Sequence, residues 1–579
     1  MTGVIELGTR SEQRLVRTLT DRVRRGHVID TRHVGSSNTD NRLSADVVKR
    51  LALTDVVAAP GCVPALILSG VVITGSLDLR DANCPVPLSF ENCVFEKRLD
   101  LDFARLASLS LRGSTVPSLS ARGLDVLADL SCSEVQFGTV DLFGARIGGQ
   151  LWLTRARTKA AHGWAFSAPS LEVRGGLYAH GFVADGGVNL WGAHIGASLE
   201  LRRVTLTATD GVALRMSNVT VALDCDVSAS TVRGGATMFG ARVGGQLWLT
   251  ETHAEATDEW ALSAPNVNVG GGLYAHGFVA EGGVNLWGSR IGESVELTNA
   301  GLSAGGRVAL RGGRSVVSGD VVLDGAVIDG VIDFTGAEIT GRFTITECVL
   351  EPAGDDDITA NLSDAKVGTV ELGACRGDLG VDLRRSSVVS ILDTPGAWPK
   401  VARLDQLRYE SLSPFLPAQE RLAWLRRDSA SDHPQPYEQL AAHYRRAGLV
   451  RDARTVLLAK ERARRRRLRP LARVWGHVQD VIVGYGYRPG RALAWLASLV
   501  AVVAVYFAYR NPLPVDEVSP SFNSVVYALD LVLPILDLRQ EKAYVAHGAG
   551  LLVSWVAVLA GWVLASAVVA AITRAVSRD

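Results

Sequence analysis

The chain is written partly in duplicate. Leu142-Phe-Gly-Ala-Arg-Ile-Gly-Gly-Gln-Leu-Trp-Leu-Thr154 returns as Met238-Phe-Gly-Ala-Arg-Val-Gly-Gly-Gln-Leu-Trp-Leu-Thr250. At the same shift of 96 residues, and without a gap, Gly176-Leu-Tyr-Ala-His-Gly-Phe182 matches Gly272-Leu-Tyr-Ala-His-Gly-Phe278, and Val188-Asn-Leu-Trp-Gly192 matches Val284-Asn-Leu-Trp-Gly288. Self-similarity at a fixed period marks stacked architecture, in which each unit buries its apolar face only against its neighbours. A finer period runs inside each copy. Val188/Leu190, Ala193/Ile195, Leu199/Leu201 and Val204/Leu206 are alternating apolar pairs, each a very short strand with one face inward. Gly192, Gly196 and Ala197, or Gly148 and Gly149, lie between pairs and let the backbone turn within two or three positions. Four such sides give a coil of roughly 20–22 residues, and about fifteen coils fit between residues 65 and 395. The pairs Gly75–Leu79, Val321–Val327 and Phe334–Ile339 extend the pattern beyond the duplication. The predicted fold is mainly β, a right-handed β-solenoid over residues 61–398.

Helical segments flank it. Residues 1–60 carry Leu15, Val16, Leu19 and Val23 on one helical face and Val47, Val48, Leu51 and Leu53 on another, the pattern of an N-terminal cap. Residues 399–470 form a helical module: Tyr437, Leu440, Ala441 and Tyr444 share one face, Gly448 stops the helix, and Ala453, Val456 and Leu457 begin a second face. This is a tetratricopeptide-like hairpin, and a single hairpin cannot bury its face alone, so it is expected to pack on the last coil.

Residues 471–579 are membrane-like. Uncharged runs at about 491–509 and 548–572 are each long enough to cross the hydrocarbon, and two transmembrane helices are predicted. Arg464, Arg465, Arg466 and Arg467 precede them, followed by a stripe containing Trp475. These residues suit anchoring at an anionic membrane surface, and by the positive-inside rule they place both chain ends and the solenoid in the cytoplasm. No signal peptide is expected at Met1-Thr-Gly-Val-Ile-Glu6, which lacks an apolar core. Between the two runs, Phe522–Arg539 is too apolar for an external loop and too short to span. A re-entrant segment and an interfacial helix both fit it. Asp530, Pro534 and Asp537 are its candidate functional residues, since ionisable groups at membrane depth are costly and subunits could gather the carboxylates into a ring. Val483-Gly-Tyr-Gly-Tyr487 matches part of a potassium-channel filter, but it precedes the first run and reads as interfacial aromatics.

Catalytic signals are sparse. The seven cysteines, Cys62, Cys84, Cys93, Cys132, Cys225, Cys348 and Cys375, show no CxxC, zinc or haem-attachment spacing and read as reduced, packed thiols. Tyr178-Ala-His180 and Tyr274-Ala-His276 are duplicated, but several coils separate them, too far to share a metal. Asp355, Asp356 and Asp357 read as an exposed loop. No cofactor or metal site is predicted. Residues 61–400 carry 26 basic and 38 acidic side chains, a net charge of −12. That balance disfavours nucleic acid and anionic surfaces as partners of the solenoid.

The rungs of the type Leu-x-Gly-Ala-Arg-Ile-Gly-Gly-Gln-Leu, together with Gln435-Pro-Tyr-Glu-Gln-Leu-Ala-Ala-His-Tyr444, Val481-Ile-Val-Gly-Tyr-Gly-Tyr-Arg-Pro489 and Tyr527-Ala-Leu-Asp-Leu-Val-Leu-Pro-Ile-Leu-Asp-Leu538, resemble a family of bacterial, largely actinobacterial, membrane proteins. Their solenoids are pentapeptide-repeat-like or bactofilin-like, and members often carry the label membrane-associated oxidoreductase. The resemblance implies a bacterial plasma-membrane location. The residues themselves point to a non-catalytic, membrane-anchored scaffold or interaction platform, with membrane lipids and either a protein partner or self-association. The alternatives are an oligomeric channel or transporter built on the segment between the spans and, third, the membrane-associated oxidoreductase of the label.

Overall fold

The computed structural model describes residues 10–30, 41–208, 211–351, 357–428, 433–465, 489–515, 521–533 and 535–576, and the chain divides into two compact units, Met1–Pro414 and Phe415–Asp579. In the first unit one inward position can be followed from end to end. Leu66, Leu88, Leu109, Leu130, Leu151, Leu177, Leu199, Cys225, Leu247, Leu273, Val295, Val321, Phe343, Val370, Ile391 and Leu412 are parallel partners in successive coils, and all are buried. Most strands here are only two or three residues long, too short to persist alone. Each is held by parallel neighbours about 4.8 Å away on both sides and by burial that contributes roughly 1.5–3 kcal/mol per large side chain. The result is a β-solenoid of about 15 turns whose described strands form a 27-stranded and a 21-stranded parallel sheet.

Coil length departs from the uniform expectation. The coils between Leu88 and Leu151 take 21 residues each. From Leu151 to Phe343 they alternate between 26 residues, as from Leu151 to Leu177, and 22, as from Leu177 to Leu199, so that four coils make the 96-residue repeat. Extra residues are taken up on one side in the 11-residue strands Arg157–Ser167, His253–Ser263 and Gly301–Arg311, where the register to the next coil slips. Trp164 and Trp260, equivalent in the repeat, lie against Gly187 and Gly283, where a Cβ would come within 2.5 and 2.7 Å of the indole.

Two different demands place glycine at the turns. Gly192 is left-handed, with φ +66° and no crowding, whereas a Cβ on Gly196 would stand 2.1 Å from the Arg174 carbonyl oxygen of the coil below. Left-handed corners are not reserved for glycine: Asp81, Phe103, Glu134, Arg155, Arg203 and Glu251 all take φ between 54° and 62°. The strain of roughly 1–2 kcal/mol at each is offset by hydrogen bonds between coils, such as Phe103 N–H to Arg122 O at 2.7 Å.

The first coil is covered by α1 (Arg10–Arg25) and α2 (Ala45–Leu53). Leu19 and Val23 of α1, and Val47, Val48 and Leu51 of α2, are buried, while Leu53 is 41 % exposed and lies off the packed face. Ser44 caps α2 by accepting the Asp46 N–H at 3.3 Å. The strand just before it, Arg42–Ser44, pairs with Val72–Thr74, satisfying part of an edge that would otherwise invite pairing with another chain.

The second unit begins with α3 (Ala418–Leu425), α4 (Pro434–Arg446) and α5 (Val450–Arg465). The predicted hairpin is α4 and α5, but it does not stand alone. Helix α3 buries Leu422, Trp424 and Leu425. It packs against α5, and the Asp452 carboxylate accepts the Ala418 N–H at 3.1 Å. Then follow α6 (Pro489–Tyr509), α7 (Ser524–Val532), α8 (Gln540–Ala543) and α9 (Ala549–Val576). The expectation of two spans is corrected here: among the described residues one helix is long and apolar enough to cross a membrane, at Ala549–Ser566 within α9. The apolar part of α6 is Leu493–Tyr509, about 25 Å at 1.5 Å per residue, short of the roughly 30 Å hydrocarbon thickness. Pro489, Gly490 and Arg491 at its start do not extend the apolar run.

Candidate functional site

The C-terminal helices gather around a small core. Val503, Ala504 and Phe507 of α6, Tyr527, Ala528, Leu531 and Val532 of α7, Tyr544, Ala546 and Ala557 form one buried cluster. Phe507 meets Tyr527 edge-on, ring centres 5.0 Å apart. Close approach is set by a glycine: at Gly561 of α9 a Cβ would lie 2.1 Å from the Val532 carbonyl oxygen. Thus α7, the most apolar part of the segment between the predicted spans, lies directly against both long apolar helices. Asn523 starts α7 by accepting the N–H groups of Val525 and Val526 at 3.0 and 3.2 Å.

The structure places the two candidate aspartates in different roles. Asp530 is buried, and both its oxygens hold returning backbone: Oδ1 accepts the Leu538 N–H at 2.7 Å and Oδ2 the Glu541 N–H at 2.8 Å. A carboxylate aimed at the first turn of α8 is favoured by unsatisfied N–H groups there. Asp537 is exposed, pairs with Lys542 at 2.7 Å and accepts the Arg539 N–H at 3.2 Å. That contact with Lys542 holds the Asp537 carboxyl below the usual carboxylate range and raises the Lys542 ammonium above its own, while burial and the nearby Asp530 charge push Glu541 up. Pro534 lies outside the described residues, as do Arg466, Arg467 and Trp475. Arg464, in the last turn of α5, has an exposed guanidinium 3.8 Å from Glu461, and Arg465 is the last helical residue.

The apolar surface of this region is largely uncovered. Only 28 % of Ala549–Ser566 is buried. Leu552, Trp555, Val556, Leu559, Trp562 and Val563 are exposed on α9, Val502 and Val505 on α6, and Ile535, at 81 %, after α7.

On the solenoid the duplicated motif builds two equal plates. Trp152 stacks on Tyr178 and Trp248 on Tyr274, each pair with ring centres 4.5 Å apart. His180 meets Glu200 at 2.6 Å and His276 meets Glu296 at 3.2 Å. The histidines do not converge, since four coils separate them, about 19 Å at the parallel-strand spacing. Between the plates lies a shallow depression of about 530 Å³ bearing Glu200, Arg202, Asp224 and Asp226, where Arg202 and Asp226 pair at 2.6 Å. These plates escaped the sequence reading because stacking depends on the coil offset of 26 residues. The signal available was the matching Trp and Tyr positions. Among the described residues no group of three or more His, Cys, Asp or Glu is placed to hold a metal ion.

Comparison with protein families, with curated proteins and with solved structures finds no match to this chain. The resemblance to pentapeptide-repeat-like or bactofilin-like membrane proteins, and the oxidoreductase label attached to them, therefore gain no support beyond the repeat β-solenoid itself.

Proposed function

We propose that the chain is a membrane-anchored platform whose solenoid offers long continuous side faces to a protein partner or to further copies of itself. The observation that carries this reading is the bare apolar surface of α9. A soluble core helix of this length would be covered, whereas a helix with most of its aliphatic and indole surface outward suits hydrocarbon. In this reading α9 spans the bilayer and α6 lies beside it as a shorter partner. Helix α7 is re-entrant, because Gly561, where Val532 abuts, is 12 residues beyond Ala549, about 18 Å along the helix axis. The arginines before α6 face the cytoplasm of a bacterial plasma membrane, with the solenoid on the same side, and the coils wind right-handedly, as parallel crossovers do. The engagement of both Asp530 oxygens by backbone N–H groups favours a platform over a channel lined by that carboxylate.

Extraction of membranes from expressing cells tests the anchor. Alkaline carbonate and high salt are expected to leave the full chain in the membrane pellet, and detergent to release it. Release by carbonate alone would overturn the spanning reading.

A further inference from the structure

Thirteen coils' worth of ladder bring two cysteines face to face near the end of the solenoid. Val349 and Arg376 form a parallel bridge, Arg376 N–H donates to the Cys348 carbonyl at 2.8 Å and Glu347 N–H donates to the Ala374 carbonyl at 2.9 Å. This register makes Cys348 and Cys375 direct neighbours in adjacent coils. Parallel neighbours stand about 4.8 Å apart, within the roughly 4.4–6.8 Å between Cα atoms that a disulfide spans, and in-register side chains leave the sheet in the same direction. Cys84 and Cys225, by contrast, have apolar partners: Cys84 faces Leu106, and Cys225 faces Leu199 and Leu247.

We propose that Cys348 and Cys375 are a reversible redox site, a dithiol that closes to a disulfide joining two coils when a peroxide reaches it. Their environments divide the work. Cys348 is fully buried and its Sγ lies 2.7 Å from the Leu323 carbonyl oxygen, whereas Cys375 is only half-buried. The neighbouring Cys348 lowers the Cys375 thiol below its ordinary value, while the same pairing together with burial raises Cys348. The thiolate therefore forms on the less buried residue of the pair, as a redox-sensing thiol requires. The Cys375 thiolate attacks one oxygen of hydrogen peroxide, the O–O bond breaks, and the leaving hydroxide takes a proton to become water. The resulting sulfenic acid is attacked by the Cys348 sulfur, which gives up its proton. The S–O bond breaks, a second water leaves, and the S–S bond forms. Two thiols and one peroxide thus give one disulfide and two waters, and an external dithiol returns both thiols by exchange.

The test uses the full chain, purified in detergent, treated with hydrogen peroxide and digested with trypsin without reduction. Cleavage at Lys366 puts the two cysteines on separate peptides. The expected product is a cross-linked pair, Phe343–Lys366 with Val367–Arg376, two hydrogens lighter than the separate peptides and resolved by dithiothreitol. Titratable thiols should fall by two from the seven of the reduced chain. In Cys348→Ser the cross-link should vanish and Cys375 should be trapped by dimedone as the sulfenic acid. The proposal is overturned if the wild-type chain loses no thiols at peroxide levels that oxidise free cysteine, if Cys375 oxidises without cross-linking, or if cross-links join other cysteines instead.

Discussion

Gly196 and Asp530 show how single atoms decide this architecture. Gly196 is needed because a carbonyl of the coil below occupies the place of its side chain, so Gly196→Ala should overpack the stack and cost about 1–3 kcal/mol. Gly192 is needed only for its left-handed backbone, a conformation that Asn92, Asn218, Asn266 and Asn299 adopt at other corners. Gly192→Asn should therefore lie within about 1 kcal/mol of the parent. Thermal unfolding of the detergent-solubilised chain, followed by far-ultraviolet circular dichroism, checks both; equal losses would show that the carbonyl contact is not the constraint. Asp530→Asn keeps one acceptor but replaces the other with a donor facing an N–H group. Charge-assisted bonds of this kind contribute about 1.5–3 kcal/mol, so amide hydrogen exchange at Leu538 and Glu541 should accelerate by tenfold or more. Asp537→Asn should leave those amides unchanged, because its partners are a side chain at the surface and one N–H group. Its ion pair with Lys542 belongs to pH values above the lowered carboxyl pKa and is lost as pH falls through it.

At the scale of elements, α9 makes a membrane claim that one substitution can test. Leu559 is 69 % exposed near the middle of the helix. If hydrocarbon surrounds it, Leu559→Arg costs about 2.5–3.5 kcal/mol of insertion, and the fraction resisting carbonate extraction should fall severalfold. If water surrounds it, the same change should leave that fraction unchanged or improve solubility. The strands were legible because Leu199/Leu201 and their equivalents alternate with period two, and α4 and α5 because Tyr437, Leu440, Ala441 and Tyr444 keep the helical period. Helix α3 was not, since its burial of Arg421 together with Leu422, Trp424 and Leu425 gives no one-sided stripe. The extent of α6 as an apolar helix is shorter than its uncharged run suggests, because the apolar window begins only at Leu493, after Pro489, Gly490 and the charged Arg491. The candidate site was half legible. Composition singled out Asp530 and Asp537, but their roles depend on a chain reversal that brings Leu538 and Glu541 back to Asp530, and no local pattern encodes that.

For the whole molecule, the proposed anchor would divide the chain between two solvents, with the acidic solenoid in water and α9 in lipid. Protease added to inside-out vesicles should then cut within the helical module at 415–465 while the α9 region stays protected, and right-side-out vesicles should protect both. Cleavage of the solenoid or the module in sealed right-side-out vesicles would reverse the assigned orientation. The repeat was legible as a period of 96 residues, but its physical unit is the pair of coils, one of 26 and one of 22. The alternating apolar pairs do not reveal that unit, because the extra residues lie on one side of the long coils only. The alternation also governs how such a molecule can change size. Inserting or deleting one coil within this stretch would bring two long coils, or two short ones, side by side and take from the Trp164 or Trp260 strand the short partner, Val183–Asn189 or Val279–Asn285, whose Gly187 or Gly283 leaves room for the indole. Adding or removing a pair restores every contact. Length is therefore adjustable in increments of about 10 Å, two strand spacings, and variants engineered in steps of 48 residues should fold where steps of 22 or 26 fail.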